Sequence, residues 1–368
     1  MKIVEEYQLD YQDLMLAPTT SEISSRKEVD TQIELPRLYS LHSPIGNPIF
    51  NANMGPFSFG FVYRMLENNC FGLLHKWEPK DKIVDFVLGV DDKYKECEKA
   101  YCHQRTKNPL DNLFFTMGTR AEDLFVLEDV FKRLENAGCS LVSYNIRIDS
   151  PNGHNTQFLN TIDKCRNKFG NKAFIVAGNI VTGEKTKEVL KAGADMAVVG
   201  IGPGNQCQTR VKAAVGRPQA SAVIDCAAVA RDMGGGIVAD GGIKIPADVV
   251  KALSLGAHAV MIGSMFGGAN ETQEEKVINK DGIECKPFYG SASQMAHDKF
   301  YANKSMDYKS FEGICSLLPC TGPAKATIDD ILGGIRSAGS FIGAKSVKEF
   351  YEKAILYKVH NQISRMGK

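Results

Sequence analysis

The chain has ten cysteines but no C-x-x-C pair and no histidine cluster at zinc spacing, which excludes a zinc framework. Cys97 and Cys102, five apart on a candidate helix, read as coincidence. No segment approaches the ~18 apolar residues of a membrane span, so no membrane partner is expected. The start Met1-Lys2-Ile3-Val4-Glu5-Glu6-Tyr7 lacks an apolar export core. Scattered thiols without an export signal give a reducing, cytoplasmic setting as the expectation. Net charge is +1, from 44 basic and 43 acidic side chains, so no field draws nucleic acid or an anionic membrane surface. Any phosphate affinity is therefore local to a site.

What is present is a core-forming composition, 43% apolar over 368 residues, enough for one large or two ordinary domains. Eight short apolar runs end in Gly/Asn/Asp/Lys-rich turns, at 48–54, 71–76, 113–118, 141–145, 174–179, 196–200, 236–240 and 259–263. They read as parallel strands buried on both faces, with helical periodicity between them, as at 182–191 and 245–254. A helix-stopping glycine followed by a strand recurs at Ala137-Gly138, Ala192-Gly193 and Leu255-Gly256. No G-x-G-x-x-G follows the first strand, and eight strand-helix units in about 250 residues fit a closed (β/α)8 TIM barrel better than an open doubly wound sheet.

Two regions lie outside that count. Residues 1–47 read as a lead-in segment covering the bottom of the barrel. Residues 269–326 separate strand eight from its helix, placed at 327–338 with Thr327 as N-cap, and are far longer than a βα loop requires. Within them 276–288 reads as a hairpin turning at Asp281-Gly282, and 291–319 as a polar stretch of little periodicity, a mobile flap over the catalytic face or a disordered insert.

The most informative stretch is Gly200-Ile201-Gly202-Pro203-Gly204-Asn205-Gln206-Cys207-Gln208-Thr209-Arg210, directly after an apolar strand. It offers Cys207 as a nucleophile on backbone that can approach a ligand closely, against the plainer reading of a small buried hydrophobe. Loops seven and eight, Asp240-Gly241-Gly242 and Gly263-Ser264-Met265-Phe266-Gly267-Gly268, suit a phosphate through the amides of Gly242, Gly263 and Ser264, or are ordinary tight turns. Asp240 suits a ribose diol. A nucleoside monophosphate anchored there lays its base across loop six, within reach of the thiol.

With these motifs in hand, the chain resembles the IMP dehydrogenase/GMP reductase family over nearly its whole length. The resemblance is carried by Asp10-Tyr11-Gln12-Asp13-Leu14, Ser25-Arg26, Ala52-Asn53-Met54, Ala177-Gly178-Asn179, the cysteine loop, Gly216-Arg217-Pro218-Gln219, Asp240-Gly241-Gly242 and Phe288-Tyr289-Gly290. It implies that Cys207 bonds covalently to purine C2, and that Gly202, Gly204 and Cys207 give carbonyls to K+. It implies a purine nucleoside monophosphate contacted by Met54, Asn205, Asp240, Gly242, Gly263, Ser264, Tyr289, Gly290, Ser291 and Glu312. It puts Lys76, Asp149, Asn179, Asn152 and Gly153 near the reacting base or the nicotinamide of NADPH or NADH, in a homotetramer.

Within the family, the dehydrogenases carry a tandem CBS regulatory insert of about a hundred residues, for which a single barrel over 1–368 has no room. They also carry an Arg-Tyr pair in the flap, absent after Tyr289. Met295-Ala296-His297-Asp298-Lys299-Phe300-Tyr301-Ala302 and Asp330-Ile331-Leu332-Gly333-Gly334-Ile335-Arg336-Ser337 resemble the reductase forms. The expected chemistry is then reductive deamination of GMP, or a related guanine nucleotide, to IMP. The leaving amine needs an acid, expected from Thr209 with a glutamate, yet Gln294 stands at the glutamate's expected place and cannot exchange a proton. Either Glu312, His297 or Asp298 supplies the proton, or the leaving group of the substrate differs, or deamination is impaired. Asn205 in place of serine, and Gly55-Pro56 in place of Asp-Thr, are further departures. The competing expectations are an insert-free, NAD-dependent IMP dehydrogenase, a nucleotide-binding relative without turnover, and a barrel holding FMN.

Overall fold

A computed structural model describes residues 3–100, 107–301 and 310–359; Cys102 and Ala302 lie outside them. Eight strands form the central sheet: β1 (Ile49–Asn51), β2 (Gly72–Leu74), β3 (Leu113–Met117), β4 (Tyr144–Asp149), β5 (Ala173–Ile180), β6 (Met196–Val199), β7 (Gly236–Asp240) and β8 (Ala259–Ile262). Every laddered neighbour is parallel, in the order β1-β8-β7-β6-β5-β4-β3-β2. The seam between β1 and β2 is a single parallel bridge, Phe50 to Phe71, so the barrel is nearly closed. With a helix after each strand, this is the expected (β/α)8 TIM barrel. Burial of large apolar side chains holds it: Phe50 stacks on Phe71 at 4.6 Å between centroids and meets Phe114 edge-on at 5.1 Å. Each such buried ring contributes roughly 1.5–3 kcal/mol.

Local chemistry sets the helix starts. Thr182 Oγ1 accepts the Lys185 amide ahead of Gly183–Lys191, and Asn155 Oδ1 accepts the Phe158 amide ahead of Thr156–Phe169. The helix expected at 327–338 instead spans Ala324–Ile342. Pro323 takes the cap position, and Glu271 of the loop after β8 accepts the Ala324 amide at 2.9 Å, so Thr327 lies inside the helix.

The fourth strand also differs from expectation, running Tyr144–Asp149 instead of 141–145. Val142 is 47% exposed, whereas the polar Asn145 and Arg147 are buried. Asn145 is satisfied by the carbonyls of Asp111 and Leu113, at 2.9 and 3.1 Å. Apolar content misplaced the strand because its buried side chains are partly polar and hydrogen-bonded.

The lead-in segment covers the bottom, where the amides of Leu38, Tyr39 and Ser40 converge on Asp195 Oδ1 just before β6. It also reaches the opposite rim, contrary to expectation. Asp10 accepts the Gln219 amide at 2.6 Å, and Leu9 pairs with Ser221 at the start of the helix after β6.

The long excursion after β8 carries more order than its composition suggested. β9 (Val277–Ile278) and β10 (Glu284–Tyr289) form the expected hairpin, and β11 (Cys315–Pro319) adds a third antiparallel strand. Between β10 and β11 the helix Gln294–Phe300 starts at Ser293, whose hydroxyl accepts the Ala296 amide.

Candidate active site

The C-terminal strand ends converge because glycine lets them. Gly200, at φ 149°, ends β6 so close to β7 that an added Cβ would stand 2.0 Å from the Asp240 carbonyl oxygen. The loop that follows is fixed by its own turn, Cys207 N–H to the Gly204 carbonyl at 3.0 Å, and by the segment leading into β11. The Gln208 amide donates to the Glu312 carbonyl at 2.6 Å, and the Ile314 amide to the Gln206 carbonyl at 3.0 Å.

That pairing assembles a hydrogen-bonded chain. The Cys207 thiol donates to Thr209 Oγ1 at 3.2 Å, and the Thr209 hydroxyl donates to Glu312 Oε2 at 2.7 Å. All three side chains are partly buried. A thiol, a hydroxyl and a carboxylate in series can move a proton between sulfur and a group bound beside it.

Gln294 is not part of this chain. It sits exposed on the first turn of the helix Gln294–Phe300, its amide donating to Asp298 Oδ1 at 2.7 Å. His297 lies 3.5 Å from the exposed Asp298, with its own ring largely covered against Tyr301 and Phe311. Of the three candidate acids in place of a glutamate at 294, the fold links Glu312 to the thiol through Thr209. Glu312 was within reach of sequence reasoning, but only its pairing with the cysteine loop distinguishes it from the others.

A second group lies at the ends of β4, β5 and β7. A register shift between Gly178 and Ile180 leaves Asn179 outside the β5–β6 ladder. Its Nδ2 donates to the Gly200 carbonyl and to Asp240 Oδ2, each at 2.7 Å. Burial pushes the Asp240 carboxyl up to about 6. Lys76 Nζ donates to Asp149 Oδ2 at 2.8 Å. Burial works against both charges, yet the pairing outweighs it, holding Lys76 above the ordinary lysine value and Asp149 below the carboxylate range.

Loops six and eight meet where Asn205 Nδ2 donates to Ser264 Oγ at 2.9 Å, beside Gly263 and Met54. Gly242 stands next in loop seven at φ 78°. Gly153 donates its amide to the Asn179 carbonyl at 2.9 Å, and Asn152 Oδ1 accepts the His154 amide, so both serve the β4 turn. Gly290 packs on Gln206, and Ser291 is exposed. Tyr289 is fully buried, with its hydroxyl donating to Glu274 at 2.9 Å.

Sequence reasoning missed Arg147, 1% exposed beneath this second group, because the strand was ended before it. The signal was present: Asn145, Arg147 and Asp149 alternate along one face.

The sequence model described as IMP dehydrogenase / GMP reductase domain matches residues 8–365. A GMP reductase of Photobacterium profundum is 36% identical over 363 residues, covering 98% of both chains. GMP reductases of Vibrio cholerae serotype O1 and Shewanella pealeana are each 34% identical over 363 residues, again covering 98% of both chains. The chain belongs to the IMP dehydrogenase/GMP reductase family of oxidoreductases.

Proposed function

We propose that this chain converts GMP, or a closely related guanine nucleotide, to IMP and ammonia by NADPH-dependent reduction through a covalent thioimidate on Cys207. The observation that carries the reading is the Cys207–Thr209–Glu312 chain. The thiol proton passes through the Thr209 hydroxyl to Glu312 as sulfur bonds to C2. The same proton returns to the exocyclic amine, which leaves as ammonia when its bond to C2 breaks. NADPH, or NADH, supplies the hydrogen and two electrons that C2 then gains. The carbon–sulfur bond breaks last, releasing IMP and the thiolate.

The remaining residues bind and orient. Asp240 takes the ribose, the Gly242, Gly263 and Ser264 amides with Asn205 take the phosphate, and the Lys76–Asp149 pair lies toward the nicotinamide. Backbone carbonyls of Gly202, Gly204 and Cys207 are neutral oxygen donors that suit K+, which would stiffen the cysteine loop. The Gly204 carbonyl already turns into the loop to accept the Cys207 amide. By likeness to the family, we extend the proposal to a cytoplasmic homotetramer of single barrels without a CBS insert, with residues 269–326 acting as hairpin and flap.

Pure protein mixed with GMP and NADPH is expected to oxidise the dinucleotide, followed by its absorbance, while IMP with NAD leaves it unchanged. Cys207→Ser is expected to lower the rate about 10³-fold or more. Turnover in the IMP mixture alone, or an unimpaired serine variant, overturns the proposal.

A further inference from the structure

Arg147 is a fully buried cation directly below the candidate site, and the thiol chemistry makes no use of it. Its Nη1 donates to the Ile148 carbonyl and, at 3.1 Å, to the Gly178 carbonyl. Its Nη2 donates to Asn179 Oδ1 at 2.6 Å and reaches Asp149 Oδ1 at 3.3 Å. Nε has no partner among the described residues. A guanidinium only donates, whereas a carboxamide has one accepting and one donating end. Facing Arg147, Asn179 must present its oxygen. Its NH2 is thereby aimed at the Gly200 carbonyl and Asp240 Oδ2. The reversed amide would set NH2 against the guanidinium and oxygen against a carbonyl and a carboxylate.

We propose that Arg147 is a positioning residue for the nucleotide, acting through the Asn179 amide to set the Asp240 carboxylate and the first residue of the cysteine loop. The proposal rests on the reading that Asp240 binds ribose. With Oδ2 held by Asn179, the other oxygen of Asp240 remains for a hydroxyl pair. Gly200, held by the same amide, begins the loop that carries Cys207. One buried fork thus ties the ends of β4, β5, β6 and β7 together.

The charges support this role. Arg147 favours ionised Asp240 against its burial, while Asp149 opposes that effect. The groups around Asp240 are Arg147 and Asp149 from β4, Lys76 behind Asp149, and Tyr11 from the lead-in segment. Without Arg147, Asp240 takes up a proton at higher pH and holds a diol less well.

The test is calorimetric titration of GMP and IMP into wild type, Arg147→Met and Arg147→Lys across pH, with melting curves to establish folding. Arg147→Met is expected to weaken nucleotide binding about tenfold or more and to move the acidic loss of affinity to higher pH. Arg147→Lys, which keeps the charge without the fork, is expected to weaken binding less and to leave the pH dependence near that of wild type. A folded methionine variant with unchanged affinity and pH dependence overturns the proposal. If methionine at 147 prevents folding, a lysine variant indistinguishable from wild type in affinity overturns it instead. Wild-type protein that binds neither nucleotide overturns the functional reading itself, a distinct result.

Discussion

Thr209 and Glu312 are 103 residues apart in sequence and 2.7 Å apart in the fold, whereas Gln294 bonds to its own helix four residues on. On the proposed mechanism, proton transfer follows that geometry. Glu312→Gln keeps an acceptor for the Thr209 hydroxyl but cannot hold a proton, so kcat is expected to fall about 10²–10⁴-fold with melting unchanged. Gln294→Ala is expected to leave kcat as it was. Steady-state NADPH oxidation by the two purified variants distinguishes them, and the reverse pattern would return the acid to position 294.

At the scale of elements, the cysteine loop is held by the long excursion after β8 as much as by the barrel. That excursion is in turn held by Lys286, 4% exposed on β10, whose ammonium donates to the Asn270 and Thr272 carbonyls at 2.9 and 2.8 Å. Lys286→Met keeps the volume and strands the buried Thr272 carbonyl, costing about 1–3 kcal/mol locally. Hydrogen exchange is expected to quicken in β10 and β11 while β5 and β6 stay protected, and turnover should fall with it because Glu312 rides on the same excursion. Uniformly faster exchange across the barrel would show that Lys286 serves global stability instead.

Across the whole molecule, burying an acid at the barrel rim costs stability, and on the proposed function Asp240 bears that cost for the sake of the nucleotide. The folded state raises Asp240 to about 6, so the folded protein binds its proton more tightly than the unfolded chain. The ionised carboxylate therefore costs stability above pH 6, and the cost fades as pH falls through 6 toward the unfolded value near 4. Asp240→Asn is expected to gain on the order of 1 kcal/mol or more at pH 7.5, measured by urea unfolding, with the gain shrinking toward pH 4. Nucleotide affinity should run the other way, weakening in wild type below pH 6 and absent in the variant. A gain that does not change with pH would remove Asp240 titration as its cause.

The barrel, its glycine-rich rim loops and the cysteine set among them are legible in the residues before any fold is known, because apolar runs and helix-stopping glycines are local patterns that survive without knowledge of neighbours. The flap hairpin is legible through Asp281-Gly282, whose turn chemistry is equally local. Which carboxylate meets the thiol, where β4 runs, and that an arginine sits beneath the site emerge only once the chain is folded. Those depend on contacts between distant segments, and burial of a polar side chain is decided by partners that one-dimensional hydrophobicity does not contain.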